Sequence, residues 1–184
     1  MKKIIITLIA FVSSVAVYAQ KTLPEVKVGT VFNCSAYVQG QEFPLSLAVK
    51  SIAGPVSIAW TVEGYGEGTF EMTTKALESA TKMAVVTQPS LGATKLPEDE
   101  TFGIISKEAY KTLADKKAFT YSGVSFKVKT PDNSPMKIGG KEIDATHVVS
   151  EDGKVELWVL NNAAFPFILQ SAGLATDIVV AEIK

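Results

Sequence analysis

Apolar and polar residues alternate along several stretches of the chain, which is the pattern of half-buried β-strands. The first such stretches are residues 30–39, 43–50 and 56–63, and short turn sequences containing glycine separate them. Each stretch places its apolar side chains on one face, because successive side chains of a strand point to opposite faces. This regularity predicts an antiparallel meander in the first part of the chain.

The clearest strand–turn–strand pattern lies between Ile143 and Leu169. Residues 143–150 alternate, and an Asp-Gly pair then supplies the positive φ of a tight hairpin turn. Residues 155–160 (VELWVL) follow and are apolar on both faces in their second half. A strand of this kind is buried on both sides, so the pattern predicts a central hairpin.

Helical patterns are fewer. One helix is predicted over residues 106–117, because Ser106 can cap it and Glu108 suits the positive end of the helix dipole. A second, shorter helix is predicted over residues 75–82. The predicted fold is mainly β of the α+β kind: an antiparallel curved sheet, half-barrel or barrel, with the longer helix lying across it. Additional strands are predicted at residues 69–73, 83–87, 119–129 and 178–183.

The first residues have the pattern of a secretory signal peptide. Two lysines precede an apolar run over residues 4–15, which is short for a transmembrane helix. We expect residues 1–19 to be removed by cleavage after Ala19, which leaves no transmembrane segment. Residues 20–184 then form one β-rich domain, periplasmic or secreted, with a two-part organisation around the connection at residues 88–101.

Charge and composition exclude some classes of function. The formal net charge is −1, and all 18 basic residues are lysines. Arginine is the usual residue for bidentate capture of phosphate, so its absence from a mildly acidic chain argues against nucleic-acid binding. The glycine-rich loop at residues 64–68 lacks the lysine of a phosphate-binding loop, and no cofactor is expected.

The chain has one cysteine and one histidine, so His147 is its only possible imidazole base, and no G-x-S-x-G pattern marks a serine nucleophile. An enzyme would use His147 with Cys34 or with Asp144. Alternation instead places His147 on the same face as Ile143 and Val149, which favours a buried structural histidine, and no catalytic residue is predicted. No metal site is predicted either, because neither H-E-x-x-H nor C-x-x-C spacing occurs.

Candidate ligand contacts come from apolar residues that need a cover. Trp158 and Leu160 lie on the second face of an apolar strand, which either the longer helix or a bound apolar ligand must cover. Tyr110 and Leu113 are apolar residues of that helix, and Tyr65 can present its ring from the glycine-rich loop. A curved sheet partly closed over a helix often encloses a cavity.

Two segments resemble those of secreted bacterial proteins of unassigned function. Glu100–Leu113 contains E-T-F-x-x-I-S-x-x-A-Y-x-x-L, and Leu157–Pro166 contains L-W-V-L-x-N…F-P after the β-meander. The predicted architecture is also similar to that of periplasmic half-barrel proteins that carry lipids or lipoproteins. The resemblance brings no catalytic motif.

The leading hypothesis is a non-enzymatic periplasmic or secreted binding module for an apolar small molecule or a cell-envelope protein. Two alternatives remain open: an enzyme that uses His147 with Cys34 or Asp144, and a structural or scaffold protein without a small ligand.

Overall fold

The computed structural model of the protein describes residues 21–184, so the predicted signal peptide lies outside the described residues. Strands dominate the described chain, and two helices interrupt them. In chain order the elements are β1 (Val31–Val38), β2 (Gln41–Ser51), β3 (Val56–Val62), β4 (Gly66–Met72), α1 (Thr74–Ser79), β5 (Lys82–Met83), β6 (Gly92–Lys95), β7 (Glu100–Thr101), α2 (Lys107–Lys116), β8 (Ala118–Tyr121), β9 (Val124–Val128), β10 (Lys137–Ile138), β11 (Lys141–Glu142), β12 (Ala145–Ser150), β13 (Glu156–Leu160), β14 (Ile168–Ala172) and β15 (Thr176–Ile183).

Eleven of these strands form one sheet, in the order β6-β4-β3-β2-β1-β15-β14-β13-β12-β9-β8. Neighbours are antiparallel except for β4 and β6, which run parallel. The two edge strands, β6 and β8, do not pair with each other, so the sheet is open. The prediction of a mainly β fold is therefore confirmed, and the open sheet fits the predicted curved sheet or half-barrel and not a closed barrel.

The middle of the sheet joins sequence-distant strands. The meander β1–β4 forms as the alternating pattern predicts, with β1 paired to β2 on one side and to β15 on the other. The side chains of Asn33 on β1 and Glu182 on β15 are 149 positions apart in sequence and form a hydrogen bond of 2.8 Å. Both halves of the chain thus contribute to a single sheet.

Hydrophobic side chains form two clusters. The first contains the inner-face residues of β1–β4 together with Trp158 and Leu160 of β13. The second contains Leu157 and Val159 of the same strand and lies against α2. Because successive side chains of a strand point to opposite faces, β13 is buried on both sides, as its apolar sequence predicts.

The helices lie close to their predicted positions. The Ser106 side chain accepts a hydrogen bond from the Ala109 backbone N–H and caps α2 at its N-terminus, and Lys117 ends it in the left-handed conformation, with φ of 59°. The shorter helix α1 ends at Ser79, earlier than predicted, because the backbone becomes extended at Ala80. Within residues 21–184, neither helix has the length and apolar character needed to cross a lipid bilayer.

Three predicted segments differ from the structure. The strand predicted at residues 83–87 is reduced to the two-residue strand β5, and the chain after it leaves the sheet. The predicted connection at residues 88–101 contains β6, which extends the main sheet at its edge beside β4. The continuous strand predicted at residues 119–129 is a hairpin, because Ser122 and Gly123 both take positive φ and form a turn between β8 and β9.

Candidate ligand-binding cleft

An open cleft of about 430 Å³ lies at the end of the meander, beside the β1–β2 and β3–β4 turns. Small-molecule sites typically measure roughly 300–1,000 Å³, so the cleft can hold a small organic molecule. Its lining is mainly apolar and comes from the inner face of the sheet and from the segment between β5 and β6. Representative wall residues are Val38, Phe43, Leu45, Trp60, Val62 and Phe70.

The cleft exists because the apolar inner face of the meander extends beyond the packed core. Along β2, Leu47 and Val49 are fully buried, Leu45 is partly buried and Phe43 is 38% exposed. All four side chains lie on the same face, since they are spaced by two residues. The core therefore ends midway along β2, and the remaining apolar row forms a wall of the cleft.

Residues 84–89 cross the cleft, and we call this segment the strap. Its first residue is fixed by a backbone hydrogen bond of 2.8 Å from the N–H of Ala84 to the carbonyl oxygen of Thr101. Within the described chain, the backbone of residues 85–89 forms no hydrogen bond to other backbone groups. Two side chains hold it instead: the Thr176 hydroxyl donates to the carbonyl of Val86, and the Tyr65 hydroxyl donates to that of Pro89, each at 2.8 Å.

A second hollow of about 400 Å³ borders the strap and is more open to solvent than the cleft. Its walls include Thr94 of β6, Leu96 and Glu100, while the strap itself borders both spaces. The strap is therefore a thin partition with free volume on two sides. Segments with few backbone hydrogen bonds and little packing are those that open most readily in native proteins.

The Trp60 indole forms part of the cleft wall and packs tightly against β4. The side chain is 1% exposed, and its Nε1 donor has no hydrogen-bond acceptor in the described part of the chain. Gly68 of β4 lies directly against the ring: a Cβ atom placed there would be 2.8 Å from Cε2 and Cζ2 of Trp60 and 2.5 Å from the carbonyl oxygen of Gly92. A side chain at position 68 would therefore force the ring or the edge strand to shift.

A polar cluster lies elsewhere in the fold, around His147. The imidazole stacks on Trp158 of the neighbouring strand, with ring centroids 3.8 Å apart. Its Nδ1 atom is 2.9 Å from the Asp132 carboxylate and its Nε2 atom is 2.7 Å from the Glu156 carboxylate. Ionised carboxylates only accept hydrogen bonds, so the doubly protonated ring is the form that donates to both. His147 is 2% exposed, so protein covers almost all of its ring.

The two carboxylates of this cluster are held in their ionised form. The Lys129 ammonium, at 2.8 and 3.0 Å from the two oxygens, is the main reason that the pKa of Glu156 lies below its usual value. Desolvation acts to raise the pKa of Asp132, but hydrogen bonds from His147 and from the Ser134 backbone N–H outweigh it, so this pKa is also lowered. The cluster ties the loop before β10 to the sheet.

Among residues 21–184, no hydrogen bond joins His147 to Cys34 or to Asp144. The Cys34 thiol donates a weak hydrogen bond to the carbonyl of Phe32, and burial raises its pKa to about 12, so the reactive thiolate is disfavoured. Asp144 accepts a hydrogen bond from the Asn161 amide, and His147 has other partners. Within residues 21–184, no group of three or more His, Cys, Asp and Glu side chains is arranged so that it could hold a metal ion.

The predicted ligand contacts are distributed over three places. Tyr65 lines the cleft and holds the strap. Trp158 donates from Nε1 to the carbonyl of Ser134 at 2.9 Å and, like Leu160, is covered by protein side chains of the first cluster. Tyr110 and Leu113 belong to α2 and the second cluster. The cover that β13 needs is therefore supplied by the protein on both faces, and the free volume lies at the meander.

The alternating pattern does not single out Phe43, Val62 or the strap, because residues that line the cleft and residues of the core have the same two-residue spacing along a strand. The available signal is the segment MAVVTQP, which is apolar at its start but too rich in polar residues and proline to complete a strand. No protein-family model and no curated protein sequence matches the chain.

Proposed function

We propose that the protein is a non-enzymatic binding module that holds an apolar small molecule in the cleft, and that it does so in the periplasm or outside the cell. The observation that carries the proposal is the apolar cleft of about 430 Å³, which continues the inner face of the sheet and is crossed by the weakly held strap. Concave, mainly apolar pockets of this volume are typical of small-molecule binding sites. The location rests on the signal-peptide pattern.

Two features support binding over catalysis. The candidate base and nucleophile of the enzyme hypothesis, His147 and Cys34, are buried, and neither borders the cleft. Beyond Ala84, the strap is held by side-chain hydrogen bonds from Thr176 and Tyr65, so it can open without disturbing the sheet. A hydrophobic site closed by a movable segment suits capture and release of a ligand.

The test is titration of the full chain with N-phenyl-1-naphthylamine, an uncharged probe that fluoresces in apolar surroundings. Phe43→Ala removes a wall of the cleft, and the matched control is Tyr37→Ala. Both side chains are 38% exposed, but Tyr37 lies on the outer face of the neighbouring strand. If Phe43→Ala removes about half of the burial of an aromatic ring, the dissociation constant of the probe rises roughly tenfold.

We expect saturable binding that Phe43→Ala weakens and Tyr37→Ala does not. Absence of saturable binding, or equal weakening by the two substitutions, would contradict the proposal. Sedimentation velocity on the same samples tests a different occupant of the cleft. A concentration-dependent dimer that excludes the probe would assign the cleft to a second copy of the chain and would also contradict it.

A further inference from the structure

The cleft is apolar and also uncharged. Among residues 21–184, the lining contains no aspartate, glutamate, lysine or histidine side chain, and its polar groups are hydroxyls and amides. An ionised group that leaves water for such surroundings loses hydration without gaining a partner of opposite charge, which is strongly unfavourable. The part of a ligand that enters the cleft must therefore be neutral.

Acidic groups close to the lining are directed elsewhere. Asp177 accepts hydrogen bonds of 2.9–3.0 Å from the Ser171 hydroxyl and from the backbone N–H groups of Gly173 and Leu174. Its carboxylate is therefore occupied within its own turn. Glu100 borders the second hollow and not the cleft. Neither carboxylate is available to pair with a cation inside the cleft.

Three glutamines provide polar groups at the entrance, and we call them the rim. Gln39 and Gln41 flank the β1–β2 turn, Gln88 lies on the strap, and all three line the cleft while remaining exposed. A side-chain amide both donates and accepts hydrogen bonds and carries no charge. Such groups suit a hydroxyl, ester or amide better than a carboxylate or an ammonium group, which would require a counter-ion.

We infer that the ligand is an uncharged amphiphile, whose hydrocarbon part fills the cleft and whose neutral polar end is hydrogen-bonded at the rim. This inference rests on the proposed function, since it names the class of molecule that the same cleft takes. It places alcohols, esters and amides with an apolar chain above ionised fatty acids and cationic amphiphiles as ligands.

The test is displacement of N-phenyl-1-naphthylamine by three molecules with the same chain: dodecanol, dodecanoate and dodecyltrimethylammonium. The titrations are run below the micelle concentrations at about pH 8, where the carboxylate is ionised. We expect dodecanol to displace the probe at a concentration at least tenfold lower than either charged molecule. Equal or tighter binding of a charged molecule, or failure of dodecanol to displace a bound probe, would overturn the inference and leave the proposed function intact.

A substitution pair tests the position of the polar end. Gln41→Lys brings a positive charge to the rim, whereas Thr61→Lys brings the same charge to the outer face of β3. We expect Gln41→Lys to reduce the preference for dodecanol over dodecanoate by about fivefold and Thr61→Lys to leave it unchanged. An equal effect of both substitutions, or of neither, would overturn the placement at the rim. Absence of probe binding to the unmodified protein would overturn the proposed function itself.

Discussion

Gly68 offers a direct test of how the cleft wall is built. Its φ lies outside the positive range that favours glycine, so a change to alanine creates no backbone strain and tests packing alone. The added Cβ would lie 2.8 Å from the Trp60 ring and 2.5 Å from the carbonyl oxygen of Gly92. Ordinary contacts measure about 3.5–4.0 Å between carbons and about 3.3–3.6 Å between carbon and oxygen.

The surroundings of Gly68→Ala must therefore shift by roughly 0.7–1.2 Å. One neighbour is a rigid indole and the other is backbone of β6, so neither can rotate away. Overpacking of this kind typically costs about 1–3 kcal/mol. For a domain of this size each kcal/mol lowers Tm by roughly 2–4 °C, so we expect a decrease of about 2–12 °C.

Thermal unfolding monitored by circular dichroism measures the decrease, and a double-mutant cycle identifies its origin. Trp60→Phe removes the ring atom Cζ2 that the new methyl group would contact. We expect Gly68→Ala to cost less in the Trp60→Phe background, because part of the clash is absent. An unchanged Tm, or identical costs in the two backgrounds, would refute the close approach of β4 to the ring.

Three more predictions concern the strap, the polar cluster and the thiol. Tyr65→Phe removes the hydrogen bond to the strap, which is worth about 1 kcal/mol. It should speed release of N-phenyl-1-naphthylamine about fivefold in stopped-flow measurements, whereas the control Tyr37→Phe should not. Equal release rates for the two variants would contradict the role of the strap. The pKa of Asp132 is lowered in the folded state, so its contribution to stability is present above the pKa of the unfolded state and is lost as pH falls through the pKa of the folded state. The Tm of Asp132→Asn should therefore depend less on pH below about 4 than the Tm of the unmodified protein. Parallel curves of Tm against pH for the two proteins would exclude this coupling. Since burial raises the pKa of Cys34 to about 12, Ellman's reagent at about pH 8 should modify the thiol only after denaturation, and rapid reaction of the native protein would contradict its burial.

The parts of the fold that follow from local pattern were predictable. The three strands of the meander, the hairpin around His147 and the helix capped by Ser106 each have a complete signal within about ten residues. The pairing of β4 with β6 was not predictable in this way, because Gly92–Lys95 is short and has no alternation. Tertiary contact, and not local propensity, makes that segment a strand.

The site was harder to predict than the fold for a related reason. Trp158 and Leu160 need a cover, and the sequence pattern cannot tell a covering side chain from a ligand. The loop containing Ser134 and the first cluster supply that cover. Phe43 has the period of a core residue, and only the end of the packed core along β2 distinguishes it. The His147 partners, Asp132 and Glu156, lie on different segments that meet only in the folded chain.

The pairing of β1 with β15 means that the middle of the sheet can be completed only when both ends of the described chain come together. These strands are neighbours in the middle of the sheet, yet Asn33 and Glu182 are 149 positions apart in sequence. Pairing strands so distant requires closure of a very long loop, which slows folding and makes it depend on late contacts. A chain that emerges N-terminus first keeps the β1 edge unpaired until its last strand arrives. During that interval the unpaired edge of β1 can pair with strands of other chains, which is a route to aggregation.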